Sequence, residues 1–260
     1  MAKSFQTPAF VLRTVDYGDA DVIVTMLGRE IGKFSAMARS AKRSTKRFGG
    51  SLLPMRALDA TVSFKPQRSL ANLLDASVVR DFPGLEATFE KITFASYATE
   101  LVRAVLREGD KASEVFDLLD AYYTRLGGAA DDDRVLEVML HHFTLDLLSW
   151  SGAAPELDGC HRCGVAAESL DKLRCLRTGE GLVCNDCARR GEAYGVIDTA
   201  TLSVLRYLRS PEGTAPREVA ESATLAQARR IIEAALHTVV DTELKSRGML
   251  EPLLSSMEAR

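Results

Sequence analysis

With 260 residues, 46% hydrophobic and 27% charged side chains, the chain has room for two or three small domains and a composition that excludes wholesale disorder. No uncharged apolar run is long enough to cross a bilayer, and the opening MAKSFQTPAF lacks the continuous apolar stretch of a secretory signal, so a cytoplasmic protein is expected. The formal net charge of -3 hides an asymmetry: residues 1–80 carry 13 Lys and Arg against 6 Asp and Glu, whereas the remainder is acidic, so front and back are expected to meet different partners.

PAFVLRTV is an apolar, β-branched run that ends at the turn DYGDAD; VIVTML follows, then the turn LGREIGK and the alternating KFSAMAR. Ile31 to Leu58 is the most unusual stretch, with Lys33, Arg39, Lys42, Arg43, Lys46, Arg47 and Arg56 and no acidic residue before Asp59. It reads as a strand running into an exposed basic loop that closes at Gly49 and Gly50, a shape that can lie along a phosphate backbone. ALDATVSFK and LANLLDASVVRDF supply a fourth and a fifth strand on either side of Pro66. Five short strands with a basic loop after the third predict a small closed β-barrel of the OB type, with an SH3-like barrel as the alternative.

Pro83-Gly84 marks a change to helical text. The first helix, from about Glu86, would bury Leu85, Phe89, Ile92, Ala95 or Ser96, and Thr99, and stop at Gly109. Ser113 is the expected cap of a second helix ending at Gly127-Gly128, and Asp131 to Asp133 introduce a third that ends near Ser151-Gly152. Helical text resumes in DTATLSVLRYLRS, breaks at Pro211 and Gly213, and continues as one long helix from about Thr224 to Arg247, with EPLLSSMEAR expected to be loose. The chain therefore predicts an α+β multidomain fold: an N-terminal five-stranded barrel at residues 1–82, a helical domain at 83–154 and 194–260, and an inserted cysteine segment at 155–193.

That segment reads C-x2-C-x20-C-x2-C, with Cys160, Cys163, Cys184 and Cys187. Two CxxC turns supply four thiolates, which close a tetrahedral zinc shell and give a structural ion rather than an open catalytic one. Gly164 suits the knuckle after the first pair, and LDKLRCLRTGEGLVC predicts a hairpin turning at Thr178 to Gly181. Cys175 is expected in a buried strand position and His161 on the surface. A redox CxxC would be expected beside a βαβ pattern, which is not found.

No GxxxxGK[ST] loop, GxGxxG turn or GxSxG elbow occurs. His141 and His142 project about 100° apart on a helix and cannot share a site. A binding protein rather than an enzyme is predicted. The aromatic candidates for base stacking are Phe34, whose alternation with Lys33 places it in the core, and Phe48, for which core and stacking roles both stand.

Tyr17-Gly18-Asp19, Thr25 to Gly28, Gly32-Lys33, Ala38-Arg39 and Lys46-Arg47-Phe48-Gly49-Gly50 resemble the N-terminal pattern of the bacterial RecO recombination mediators. The match is dense over the first fifty residues and architectural beyond them. The resemblance implies a non-enzymatic protein of the nucleoid that binds single- and double-stranded DNA, anneals complementary strands, and with RecR helps RecA displace single-strand-binding protein in RecF-pathway repair. It also implies a contact between the helical domain and the C-terminal tail of single-strand-binding protein. On this reading Lys33, Arg39, Lys42, Arg43, Lys46 and Arg47 are the DNA-binding set. The competing class is an RNA- or ribosome-associated OB-fold/zinc-ribbon protein without a recombination role, which competition between single-stranded DNA and RNA would separate. A third is a zinc-ribbon protein binding DNA through Arg162, Lys172, Arg174, Arg177, Arg189 and Arg190.

Overall fold

The structure, a computed structural model, describes residues 3–48, 50–64, 70–210, 215 and 217–258. Gly49 of the expected loop closure, Pro66 of the expected strand break, and the expected breakers Pro211 and Gly213 lie outside the described residues. The chain divides into two compact units, 1–129 and 130–260.

The first unit begins with five strands: β1 (Lys3–Tyr17), β2 (Asp21–Gly28), β3 (Gly32–Ala38), β4 (Arg56–Phe64) and β5 (Ala71–Asp81). Their order is β1-β2-β3-β5-β4, and β4 pairs back with β1, so the ladder closes. All these pairings are antiparallel except β3–β5, where Ala36, Met37 and Ala38 face Ala71, Asn72 and Leu73 in parallel. The alternation legible in the sequence sets the two faces. Val24, Met26, Phe34, Ala36, Leu58, Ala60, Val62 and Leu73 fill the interior, while Ile23, Thr25, Lys33, Ser35 and Met37 point out. A single helical turn, α1 (Thr45–Phe48), interrupts the basic segment after β3. Its Phe48 is 2% exposed and packs into the barrel core, which decides that residue for packing and against stacking.

Two helices complete the unit. α2 (Phe89–Val105) starts on Thr88, whose hydroxyl accepts from the Lys91 amide, a cap of about 1 kcal/mol. Leu85, Ala95 and Thr99 are buried as expected, with Phe94, Ala98, Leu101 and Val102 beside them, whereas Phe89 and Ile92 are exposed against the expectation. α3 (Ser113–Gly128) starts on its expected cap residue rather than after it: Ala112 holds the N-cap position and no side chain caps it. Phe10, on the outside of β1, joins barrel to helices, with its ring 4.6 Å from Phe116, 5.7 Å from Tyr123 and 6.0 Å from Phe82. The α2–α3 connection presses onto the β2–β3 turn so closely that a Cβ on Gly32, at φ +71°, would lie 1.6 Å from the Asp110 carbonyl oxygen. Glycine is required there.

In the second unit α4 (Asp133–Ser151) is capped by Asp132, which accepts from the amides of Arg134 and Val135, and ends on Gly152 in the left-handed conformation, as the three aspartates and the glycine predicted. α5 (Thr199–Arg209) is capped by Asp198 and packs with α4 and α6 (Ser222–Leu236). The expected long helix is broken: α6 stops at Leu236, residues 237–246 turn, and α7 (Arg247–Glu258) follows. The β-branched residues Thr238, Val239, Val240 and Thr242 disfavour an unbroken helix there. Leu250 and Leu254 of α7 are buried, so most of the segment expected to be loose is docked helix. His141 sits buried against Glu137 at 3.3 Å, and His142 Nδ1 lies 2.9 Å from the Leu208 carbonyl oxygen, both as packed helix residues.

Between α4 and α5 lies the cysteine segment, with β6 (Leu173–Leu176), β7 (Leu182–Val183) and β8 (Tyr194–Ile197) in the order β7-β6-β8. The β6–β7 hairpin turns where predicted, and β8 adds a third strand that the sequence reading missed. Among the described residues no helix is long and apolar enough to cross a membrane.

Candidate nucleic-acid interface and metal centre

The basic segment leaves β3 at Ala38 and forms a surface turn braced by its own backbone. The Lys42 amide donates to the Ala20 carbonyl at 3.1 Å, the Ser40 amide to Asp21 Oδ1 at 2.8 Å, and the Arg43 amide to the Ser40 carbonyl at 3.1 Å. Arg47 stiffens it further, donating from Nη2 to the Arg39 carbonyl at 2.8 Å and from Nε to Ser44 Oγ at 3.2 Å, with its guanidinium 5.0 Å from the centre of the Phe48 ring. Lys42 pairs with Asp16 at 2.8 Å. Arg39, Arg43 and Lys46 are exposed, and among the described residues their side chains make no ion pair or hydrogen bond. Among the described residues, these are three uncompensated cations on a braced turn, open to an anionic ligand.

Lys33 does not join them. It lies on the outer face of β3 under α2, and its ammonium donates to the Arg103 carbonyl at 2.9 Å and to the Leu106 carbonyl, at the C-terminal end of that helix. Burial lowers its pKa despite nearby Glu108. A lysine on the last carbonyls of a helix satisfies orphan acceptors and meets the negative end of the macrodipole. The Lys33 ammonium is therefore engaged by the fold itself. Lys33→Gln is expected to cost about 1–3 kcal/mol of stability, because it uncovers half-buried carbonyls, while leaving the salt dependence of nucleic-acid binding unchanged. Denaturant unfolding and a salt titration of the same variant check both halves.

The four predicted cysteine ligands converge. Their sulfur atoms lie within 4.8 Å of one another, with Cys163 and Cys184 3.7 Å apart. A tetrahedral zinc–thiolate shell, with bonds of about 2.3 Å, needs sulfurs about 3.8 Å apart, so this set fits one ion. The knuckle forms as the sequence predicted: Gly164 takes φ +73°, its amide donates to the Cys160 carbonyl at 2.8 Å, and the Cys160 amide donates to the Val165 carbonyl at 2.8 Å. The Cys184 amide approaches Cys160 Sγ at 3.4 Å. Burial pushes the Cys160 thiol up, but the amides of Cys184, Cys163 and Arg162 outweigh it and bring it down to about 6. Crowding by Cys184 and Cys163 pushes the Cys187 thiol up to about 12. A divalent cation would relieve that crowding by replacing the remaining protons. Cys175 is buried away from the cluster, and burial pushes its thiol up to about 12.

Comparison with known proteins decides the family. The model described as "Recombination protein O N terminal" matches residues 1–82, and that described as "Recombination protein O C terminal" matches residues 86–248. The chain belongs to the RecO family. It is similar to the DNA repair protein RecO of Anaeromyxobacter dehalogenans (strain 2CP-C), 36% identical over 246 residues that cover 94% of each chain. It is 34% identical to DNA repair protein RecO of Myxococcus xanthus (strain DK1622) over 79% of this chain and 81% of that one.

Two supports of this RecO-family site escaped the sequence reading. Arg162, inside the first CxxC turn, pairs with Glu192 through both guanidinium nitrogens and donates to the Cys187 carbonyl, tying the two turns together. Asp16, at the end of β1, pairs with Lys42 of the turn after β3. In each case the partners are far apart in the chain, and nothing local marks them.

Proposed function

We propose that this RecO-family chain is a DNA-binding recombination mediator that works by binding rather than by catalysis. Its barrel, which we assign to the OB type from the strand order and the parallel β3–β5 pair, carries the polynucleotide on the turn of Arg39, Lys42, Arg43, Lys46 and Arg47. The observation that carries this reading is the trio of exposed cations, unpaired among the described residues, on a braced turn, in a family whose relatives are named for DNA repair. Phosphates would displace counterions along that turn, so affinity comes from ion release and is indifferent to sequence.

The mediator role is the finer half of the proposal. The chain anneals complementary strands and, with RecR, assists RecA in replacing single-strand-binding protein in RecF-pathway repair, in the cytoplasm at the nucleoid. The helical region receives the C-terminal tail of single-strand-binding protein, and the 155–193 insertion is held by one structural zinc ion on Cys160, Cys163, Cys184 and Cys187. Strand annealing tests the role: the wild-type chain should speed pairing of complementary oligonucleotides coated with single-strand-binding protein. An unchanged pairing rate at saturating protein would refute it.

A further inference from the structure

We propose that Tyr17 is a base-stacking residue, and that with Arg13 and Arg39 it makes the uncovered part of the barrel's outer face a site for unpaired rather than paired polynucleotide. This rests on the reading of the barrel as a polynucleotide binder and adds to it a specificity that cations alone cannot supply.

Strand register places the residues. On the outer face, Tyr17 pairs with Asp21, Val15 with Ile23 and Arg13 with Thr25; Ile23 and Thr25 pair in turn with Met37 and Ser35. Arg39 follows Ala38, the partner of Val22, and so continues the Tyr17–Asp21 row. The face has two halves. Its lower part is closed by the helices: Lys33 donates into the end of α2, Ser35 Oγ donates to Glu108 at 2.9 Å, and Arg29 pairs with Asp117 of α3 at 2.9 Å. Its upper part is bare, and Tyr17 is 56% exposed there, Val15 42% and Leu74 43%.

The hairpin that carries Tyr17 is not a free tip. Gly18, at φ +60°, turns the chain, and the Ala20 carbonyl, Asp21 carboxylate and Asp16 carboxylate are each tied to the basic turn at Lys42 or Ser40. An aromatic ring is thereby held beside the cations at little conformational cost on binding. Those ties also pair Asp16 with the Lys42 ammonium and hold the Asp21 carboxylate against the Ser40 amide, which leaves Asp19 as the exposed anion of the tip. The phosphate track consequently runs from Tyr17 toward Arg39 and Arg43, and not over the tip. A ring can stack only on a base that has left its duplex neighbours, so it selects single strands. Cations on a phosphate track do not make that distinction.

The test measures binding of the full chain to a labelled oligothymidylate and to a blunt duplex of the same length at one fixed salt concentration. Tyr17→Ala should weaken oligothymidylate binding about 5- to 100-fold, leave duplex binding and the salt slope unchanged, and Tyr17→Phe should restore the loss. Equal effects on both ligands, or none on either, would overturn the proposal. Tyr17→Trp in a Trp150→Phe background gives an independent reading: its emission should be quenched by oligothymidylate and not by duplex, and an unquenched signal at saturation would also overturn it. If the wild-type chain binds neither ligand, the barrel reading itself falls. If it binds both and Tyr17→Ala changes nothing, only this inference does.

Discussion

Stripping the metal with a strong chelator is expected to unfold residues 155–193 while α4 to α7 keep their helical signal. The buried cluster around the metal site is small: Cys160, Leu176, Val183 and Cys184, with Leu170, Cys187 and Ala188 packed against it. A segment of that size cannot hold a fold by apolar burial alone. Two of the four central residues are themselves metal ligands, so losing the ion removes half the cluster's anchor. Structural zinc contributes apparent binding free energies of about 10–16 kcal/mol in isolated fingers, far more than the Arg162–Glu192 pair can replace. The hairpin does have outside support: β6 pairs with β8, and its turn packs on α6 closely enough that a Cβ on Gly179 would lie 2.5 Å from Ala235 Cα. That contact is expected to hold the tip near α6 without restoring the knuckles. Trypsin should then cut at Arg174, Arg177, Arg189 and Arg190 within minutes in the stripped protein and slowly in the native one. Metal analysis should find one zinc per chain. A metal-free native protein whose four thiols react freely and whose insertion still resists trypsin would contradict the site.

Replacing Arg39, Arg43 and Lys46 together by Gln should lower single-strand affinity about 100-fold near 0.1 M salt. Each phosphate contact on a single strand releases roughly 0.7 of a counterion, worth about five-fold at that salt, and three contacts multiply. These positions are chosen because the fold does not use them. All three are exposed, and among the described residues their side chains are unpaired, so stability should stay within about 0.5 kcal/mol. Arg47 and Lys42 are poorer choices for a clean experiment. Arg47 holds the turn through the Arg39 carbonyl, and Lys42 holds it to the hairpin through Asp16, so their loss would mix disordering with charge removal. A triple variant that melts like wild type and binds as tightly would place the polynucleotide elsewhere on the chain.

The barrel strands were readable because period-two alternation is a local signal, and a residue such as Phe34 between Lys33 and Ser35 declares its face without knowledge of its neighbours. The zinc ligands were readable for the same reason, since each CxxC turn is four residues long. What stayed hidden depends on contacts between distant segments. Lys33 looked like any other cation of the basic stretch, yet α2, some seventy residues on, ends on top of it. Phe89 and Ile92 carry as much apolar surface as Phe94 and Leu101, and only the packing of α2 against the barrel and α3 decides which set is buried. The third strand of the cysteine sheet is short and becomes a strand by pairing with β6. The break before α7 was visible in a β-branched run, but the burial of Leu250 and Leu254 that makes α7 a helix is tertiary.

The central claim is that the cations of the turn after β3 grip phosphates, and the salt dependence of binding tests it most directly. Oligothymidylate affinity, measured from low to moderate salt, should fall for the wild-type chain with a log–log slope of about -3.5, for the five cations of the turn, and for the triple Gln variant with a slope of about -1.4. Two equal slopes would contradict it.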